Sequence, residues 1–144
     1  MDVKAEYAKT IAGAKAVPEG SVFHGQLQRP GENEESKFYA TEITQNLGDS
    51  YQVIGKTMVN GPPGEWIVIN VRTEKDGKLR IGPNPDDEVF IGGVISGAMI
   101  TAKSGSITLK RQPNGGFETT DFNFEFGSGG TFSGKVTVKP SAKT

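Results

Sequence analysis

The stretches "FHGQL", "FIGGV" and "FSGKV", at 23–27, 90–94 and 132–136, each put a glycine inside a run that otherwise alternates like a β-strand. Glycine weakens a strand by its entropy and its missing side chain, so its recurrence in strand interiors calls for a geometric cause. In each stretch Phe and Gly stand two apart and are therefore expected on one face of the sheet. A strand that curls to close a barrel, or crosses between sheets, bends most easily at glycine, and a nearby ring fills the gap. "VIGKT" at 53–57 is a fourth, weaker instance. These positions are expected to be corners of a strongly curved sheet. Their irregular spacing argues against a solenoid or propeller repeat.

The rest of the chain agrees with an all-β reading. Its 144 residues suffice for a core without staples, and 20 Gly and 8 Pro suit many turns and few helices. Strands are expected at 22–28, 37–44, 51–59, 65–74 and 78–82, then over a long run, 88–103, bent or split near Gly97. Ile67, Ile69 and Val71 share a face. The 37–44 and 51–59 segments flank "QNLGDS" as a hairpin, and "KDG" at 75–77 turns the 65–74 strand back into "KLRIG". A meander over 106–111, 119–126 and 131–139 follows.

Val3, Tyr7, Ile11 and Ala14 fall at helical spacing before Pro18, which predicts one short N-terminal helix that caps an open end or packs across the sheet. The expected fold is an antiparallel β-barrel or β-sandwich of roughly eight to ten strands with that helix. Residues 1–17 are expected to be the helix or arm of this same domain, 18–140 the single β domain, and 141–144 a disordered tail.

Charge and cysteine content narrow the function. Sixteen basic and 17 acidic side chains leave a net charge of −1, with no dense basic stripe, so nucleic-acid binding is not expected. No cysteine is present, which excludes disulfides, thiolate catalysis and cysteine metal sites. The polar start carries no signal-peptide pattern, as for a cytoplasmic chain or an exported one with its signal removed. The longest apolar stretch, 89–102, is too short to span a bilayer as a helix, and membrane contact is not expected.

Motifs that could carry chemistry mostly fail on context. "GKT" at 55–57 lacks the upstream glycine and following helix of a phosphate loop. "PNPDDE" at 83–88 gathers oxygen ligands suited to Ca²⁺, without the spacing of a calcium loop. His24, the one histidine, alternates with Phe23 and is expected to face solvent. No catalytic constellation or carboxylate pair is singled out, and neither a metal nor a cofactor is expected. The run at 89–110 is expected to be buried strand rather than a membrane hairpin, because its apolar residues fall on both faces.

"DFNFEF" places Phe122, Phe124 and Phe126 on one face. Together with Phe23, Phe90 and Phe132 they are candidate walls of an interior cavity, since a barrel of about eight strands has room for one small ligand. The leading expectation is a non-enzymatic binding module for a small apolar or amphipathic ligand. The alternative is an assembly protein, a homo-oligomer, pore-former or virion component, using strand edges and the Gly-rich 89–110 hairpin. An unrecognised hydrolase comes third. Trp66, Tyr39 and Tyr51 could stack on sugar rings, though one Trp with scattered Tyr is ordinary strand content.

Overall fold

The computed structural model describes residues 15–16, 20–29, 34–47, 51–58, 63–95, 97–112, 115–127 and 129–140. They form one sheet of eleven strands, ten of them longer than two residues, curled into a half-barrel. In chain order these are β1 (Lys15–Ala16), β2 (Val22–Gln28), β3 (Ser36–Tyr39), β4 (Glu42–Leu47), β5 (Tyr51–Met58), β6 (Pro63–Val71), β7 (Gly77–Ile81), β8 (Val89–Ile95), β9 (Ala98–Arg111), β10 (Phe117–Phe126) and β11 (Thr131–Val138). In space the order is β1-β4-β5-β6-β8-β7-β9-β10-β11-β2-β3. All pairings are antiparallel except one parallel contact, Ile81 with Val89. The residues with helical spacing, 3–14, lie outside the described residues, as does the 141–144 tail, and Lys15–Ala16 pairs as a strand with β4.

The all-β curled sheet agrees with the sequence reading, and several strands fall where alternation placed them. Ile67, Ile69 and Val71 all point into the core. The 88–103 run does split, into β8 and β9, around Gly97, whose φ is 79°. Two expectations need correction. The 37–44 segment is two strands broken at Ala40 and Thr41. The "KDG" turn does not make a hairpin of adjacent strands, because β8 pairs with β6 and separates it from most of β7. β9 is the reason: its first part pairs with β8 and its later part with β7, so a single long strand serves two partners.

The core lies inside the curl. Phe23, Phe38, Phe122, Phe124 and Phe132 pack ring against ring, with centroids 5.2 to 6.5 Å apart. β10 keeps its rings inward through a bulge: Thr120 pairs with Thr108 but Asn123 with Ser106, and Asp121 takes up the extra residue at φ 50°. That insertion changes the phase, so Phe117 and Thr119 before it and Phe122 after it all face the interior.

Close approach explains two glycines of the Phe-x-Gly stretches, Gly25 and Gly134. Gly25 and Gly134 pair across β2 and β11, and a Cβ on either would stand 2.7 or 2.8 Å from the Phe132 ring. Phe132 therefore covers both glycines of its neighbourhood, the arrangement anticipated for a bent sheet. Phe23 does something different: its ring lies on Gly55 of β5, where a Cβ would stand 2.7 Å from two ring carbons. β2 and β5 are near opposite ends of the strand order, so this contact spans the mouth of the curl.

Two further links cross the same gap. Ala40 N–H donates to the Phe23 carbonyl at 2.9 Å and Thr41 N–H to the Lys56 carbonyl at 2.8 Å, so two successive residues tie one end of the sheet to the other. At the end of β2, Arg29 holds Glu65 of β6 with a two-pronged pair at 3.1 and 2.6 Å, and also donates to the Ser36 hydroxyl. Bidentate charged bonds of this kind fix geometry as well as adding energy.

Tyr51 shows how tightly the inside is closed. Its ring stacks on Phe117 at 5.1 Å, and its hydroxyl donates to the Gly115 carbonyl at 2.8 Å, with the Gln45 side-chain oxygen at 3.2 Å. Burial pushes the phenol well above its ordinary value, and nearby Arg111 works against this only in part. The folded state thus keeps a proton that the unfolded chain releases near pH 10, so stability is fully present below about pH 10 and falls as pH rises beyond it. Spectrophotometric titration should show one of the three tyrosines ionising late. Tyr51→Phe should remove that late step, weaken the alkaline loss, and cost about 0.5–1.5 kcal/mol at neutral pH in denaturant unfolding.

Candidate functional site

Of the six phenylalanines marked by the sequence, Phe23, Phe122, Phe124, Phe126 and Phe132 come together in the interior. Phe124 meets Phe126 edge-on at 5.1 Å and stacks on Phe132 at 5.2 Å. Phe38, which the sequence did not single out, completes the cluster. Phe90 is not among them. It stands on the outer face of β8, half-buried, packed with Trp66 against Ile54 and Val68, and the Arg72 guanidinium lies 5.3 Å from its ring centre. The strand that carries it is buried on both faces at several positions, so its alternation gave no indication of side.

The outer faces of the strands carry two different chemistries. On β3, β2, β11, β10 and β9 the register lines up Lys37, Gln26, Ser133, Asn123 and Ser106 in one polar row. A second row runs Gln28, Thr131, Glu125 and Ser104. Between them lies an open depression of about 310 Å³, lined by Gln26, Glu35, Asn123, Glu125, Thr131 and Ser133 among others. It meets a second open hollow, of about 600 Å³, at Ser104 and Gly105; there Arg80, Asn84, Asp86 and Lys103 take part in the lining. Together these make an open, mixed polar and apolar hollow that crosses β2, β11, β10 and β9 and continues beside the loop between β7 and β8.

At the edge of the polar face stands Tyr39, 63% exposed. Its ring stacks on His24, centroids 5.9 Å apart and planes 11° apart. His24 thus faces outward beside Tyr39, on the side of the strand away from Phe23. The other candidate stacking rings are committed elsewhere: Tyr51 is bonded into the interior, and Trp66 packs beside Ile54 and Val68.

The acidic loop between β7 and β8 is occupied with its own structure. Asp87 accepts from Arg80 Nε at 2.8 Å and from the Asn84 backbone N–H at 2.9 Å. Glu88 accepts from the Arg80 backbone N–H at 3.1 Å. Among the described residues no group of three or more His, Asp or Glu side chains is placed to hold a metal ion. "GKT" at 55–57 lies in β5, and the next described element is the strand β6. No family model, curated protein or solved structure matches the chain.

Asp87 is the pin of this rim. Its side chain is nearly fully buried while Arg80 is largely exposed, so the carboxylate is held mainly by the loop it closes. Asp87→Ala leaves the Asn84 N–H without its acceptor and should cost about 1–3 kcal/mol in denaturant unfolding, with increased amide exchange confined to 82–88.

Proposed function

We propose that the protein is a binding module that takes a hydroxyl-rich ligand, a saccharide in chemical class, on the polar outer face of β3, β2, β11, β10 and β9. The observation that carries this reading is Tyr39: an exposed ring, stacked on His24, on the same outer face as the rows of amide, hydroxyl and charged side chains that border an open depression. Sugar rings are bound by this pairing of chemistries. The aromatic face covers C–H groups, while side-chain amides and carboxylates exchange hydrogen bonds with hydroxyls. Gln26, Asn123 and Glu125 supply donors and acceptors within one face, and strands hold them more rigidly than a loop would.

The interior is less favourable for a ligand. Its rings already touch one another, so an apolar guest among Phe23, Phe122, Phe124, Phe126 and Phe132 would have to displace packed aromatic contacts.

The test is a panel of immobilised oligosaccharides and polysaccharides, probed with the parent chain, Tyr39→Ala and Asn123→Ala. The parent should be retained by at least one saccharide, and Tyr39→Ala should weaken that binding about two- to tenfold with the fold unchanged. Absence of retention across the panel, or retention that Tyr39→Ala leaves untouched, would overturn the proposal.

A further inference from the structure

The first polar row on the outer face does not stop at β9. Register carries it across neighbouring strands from Lys37 of β3 through Gln26, Ser133, Asn123 and Ser106 to Arg80 of β7. Phe38, Phe132, Phe124 and Leu79, the next residues along their strands, are buried in the core, so the row points outward. It crosses the strands with one side chain from each, and five strand spacings make it about 24 Å long. Its inner positions are uncharged amides and hydroxyls. Cations stand only at its two ends, and Arg80 is already held by Asp87 at 2.8 Å. In the second row Glu125 faces Lys103 at 3.7 Å. The two open hollows follow the same line: Gln26, Ser133 and Asn123 line the first, Arg80 lines the second, and they meet at Ser104 and Gly105.

Resting on the saccharide reading above, we infer that the ligand is a neutral, extended, β-linked sugar chain laid across the strands, with Tyr39 at its β3 end and Arg80 at its β7 end. Length is the first argument. A single sugar spans about one strand spacing and would leave most of the row unused. An extended β-1,4-linked chain advances per sugar by close to the spacing of neighbouring strands, so successive sugars meet successive side chains of the row. An α-linked chain that coils turns away from such a line. Charge is the second argument. A uronic or sulfated chain carries anions along its length, yet the inner row offers no cation to meet them, and Glu35 and Glu125 line the first hollow, where they repel an anion. Gln, Ser and Asn each donate and accept, which matches hydroxyls that do the same. The two ends differ. Tyr39 shares the outer face with Lys37 and offers a ring at β3, whereas β7 offers the guanidinium of Arg80.

The test is calorimetric titration of the parent chain and Arg80→Ala with cello-, manno-, xylo- and chito-oligosaccharides, each from disaccharide to hexasaccharide. For at least one ladder, affinity should rise with added sugars, and the hexasaccharide should bind at least about tenfold tighter than the disaccharide. Arg80→Ala, with its circular dichroism unchanged, should weaken the hexasaccharide about two- to tenfold and spare the shortest chains that bind, because only a long chain reaches β7. A disaccharide that binds as tightly as the hexasaccharide would overturn the extended chain while the saccharide reading stands. So would an Arg80→Ala loss that is equal at every length, or absent at all of them. If the immobilised panel retains the protein only on charged or α-linked glycans, the ligand named here is wrong and the wider reading survives. Silence from the ladders and the panel alike would overturn both.

Discussion

A ring resting on a glycine across the mouth of the curl is the contact on which the rest of this structure depends. Phe23 belongs to β2 and Gly55 to β5, and the sheet order separates them by most of its width. Because Gly55 offers no side chain, the ring of Phe23 can seat directly on its backbone and draw the two ends together. Ala40 and Thr41 can then carry the chain over the gap with each backbone N–H satisfied, one by Phe23 and the other by Lys56. Arg29 reaches Glu65 beside them.

Closure also sorts the outside into two surfaces. The strands that follow one another through the meander, together with β2 and β3, present side chains that hydrogen-bond and bear charge. The strands from β4 to β8 present Ile54, Val68, Trp66 and Phe90 in a patch bordered by Thr44, Lys56 and Asn70. The first surface has the chemistry of a site open to polar ligands. The second is apolar, with Trp66 and Phe90 packed over Ile54 and Val68. The aromatic interior between them is packed as a core, with Phe122, Phe124 and Phe132 in mutual contact.

Much of the architecture was legible because a half-buried strand writes its burial as alternation. Phe122, Phe124 and Phe126 alternate with Asp121, Asn123 and Glu125, and the structure buries the rings and exposes the others. What alternation does not encode is the partner. "KDG" has the form of a hairpin turn, but β9 is long enough to pair with both β7 and β8, and that non-local choice brings β8 in beside β6. The corner at Ala40 and Thr41 has neither Gly nor Pro to announce it. Phe90 was placed inward because its stretch resembles the other Phe-x-Gly stretches, whereas β8 is covered on both faces and its ring belongs to the outer one. The candidate face was scarcely legible: Tyr39 reads as ordinary strand content among the aromatics, and the polar rows exist only once five strands are in register.

The most direct test of the closure is a double-mutant cycle on Phe23 and Gly55, followed by denaturant unfolding. Gly55→Ala alone pushes a methyl into the ring and should cost about 1–3 kcal/mol. Phe23→Leu trims the ring away from that position, so the double variant should be more stable than the sum of the two losses predicts, with a coupling of about 0.5–3 kcal/mol. Strict additivity, or a Gly55→Ala chain as stable as the parent, would contradict the claim that this contact holds the two ends of the sheet together.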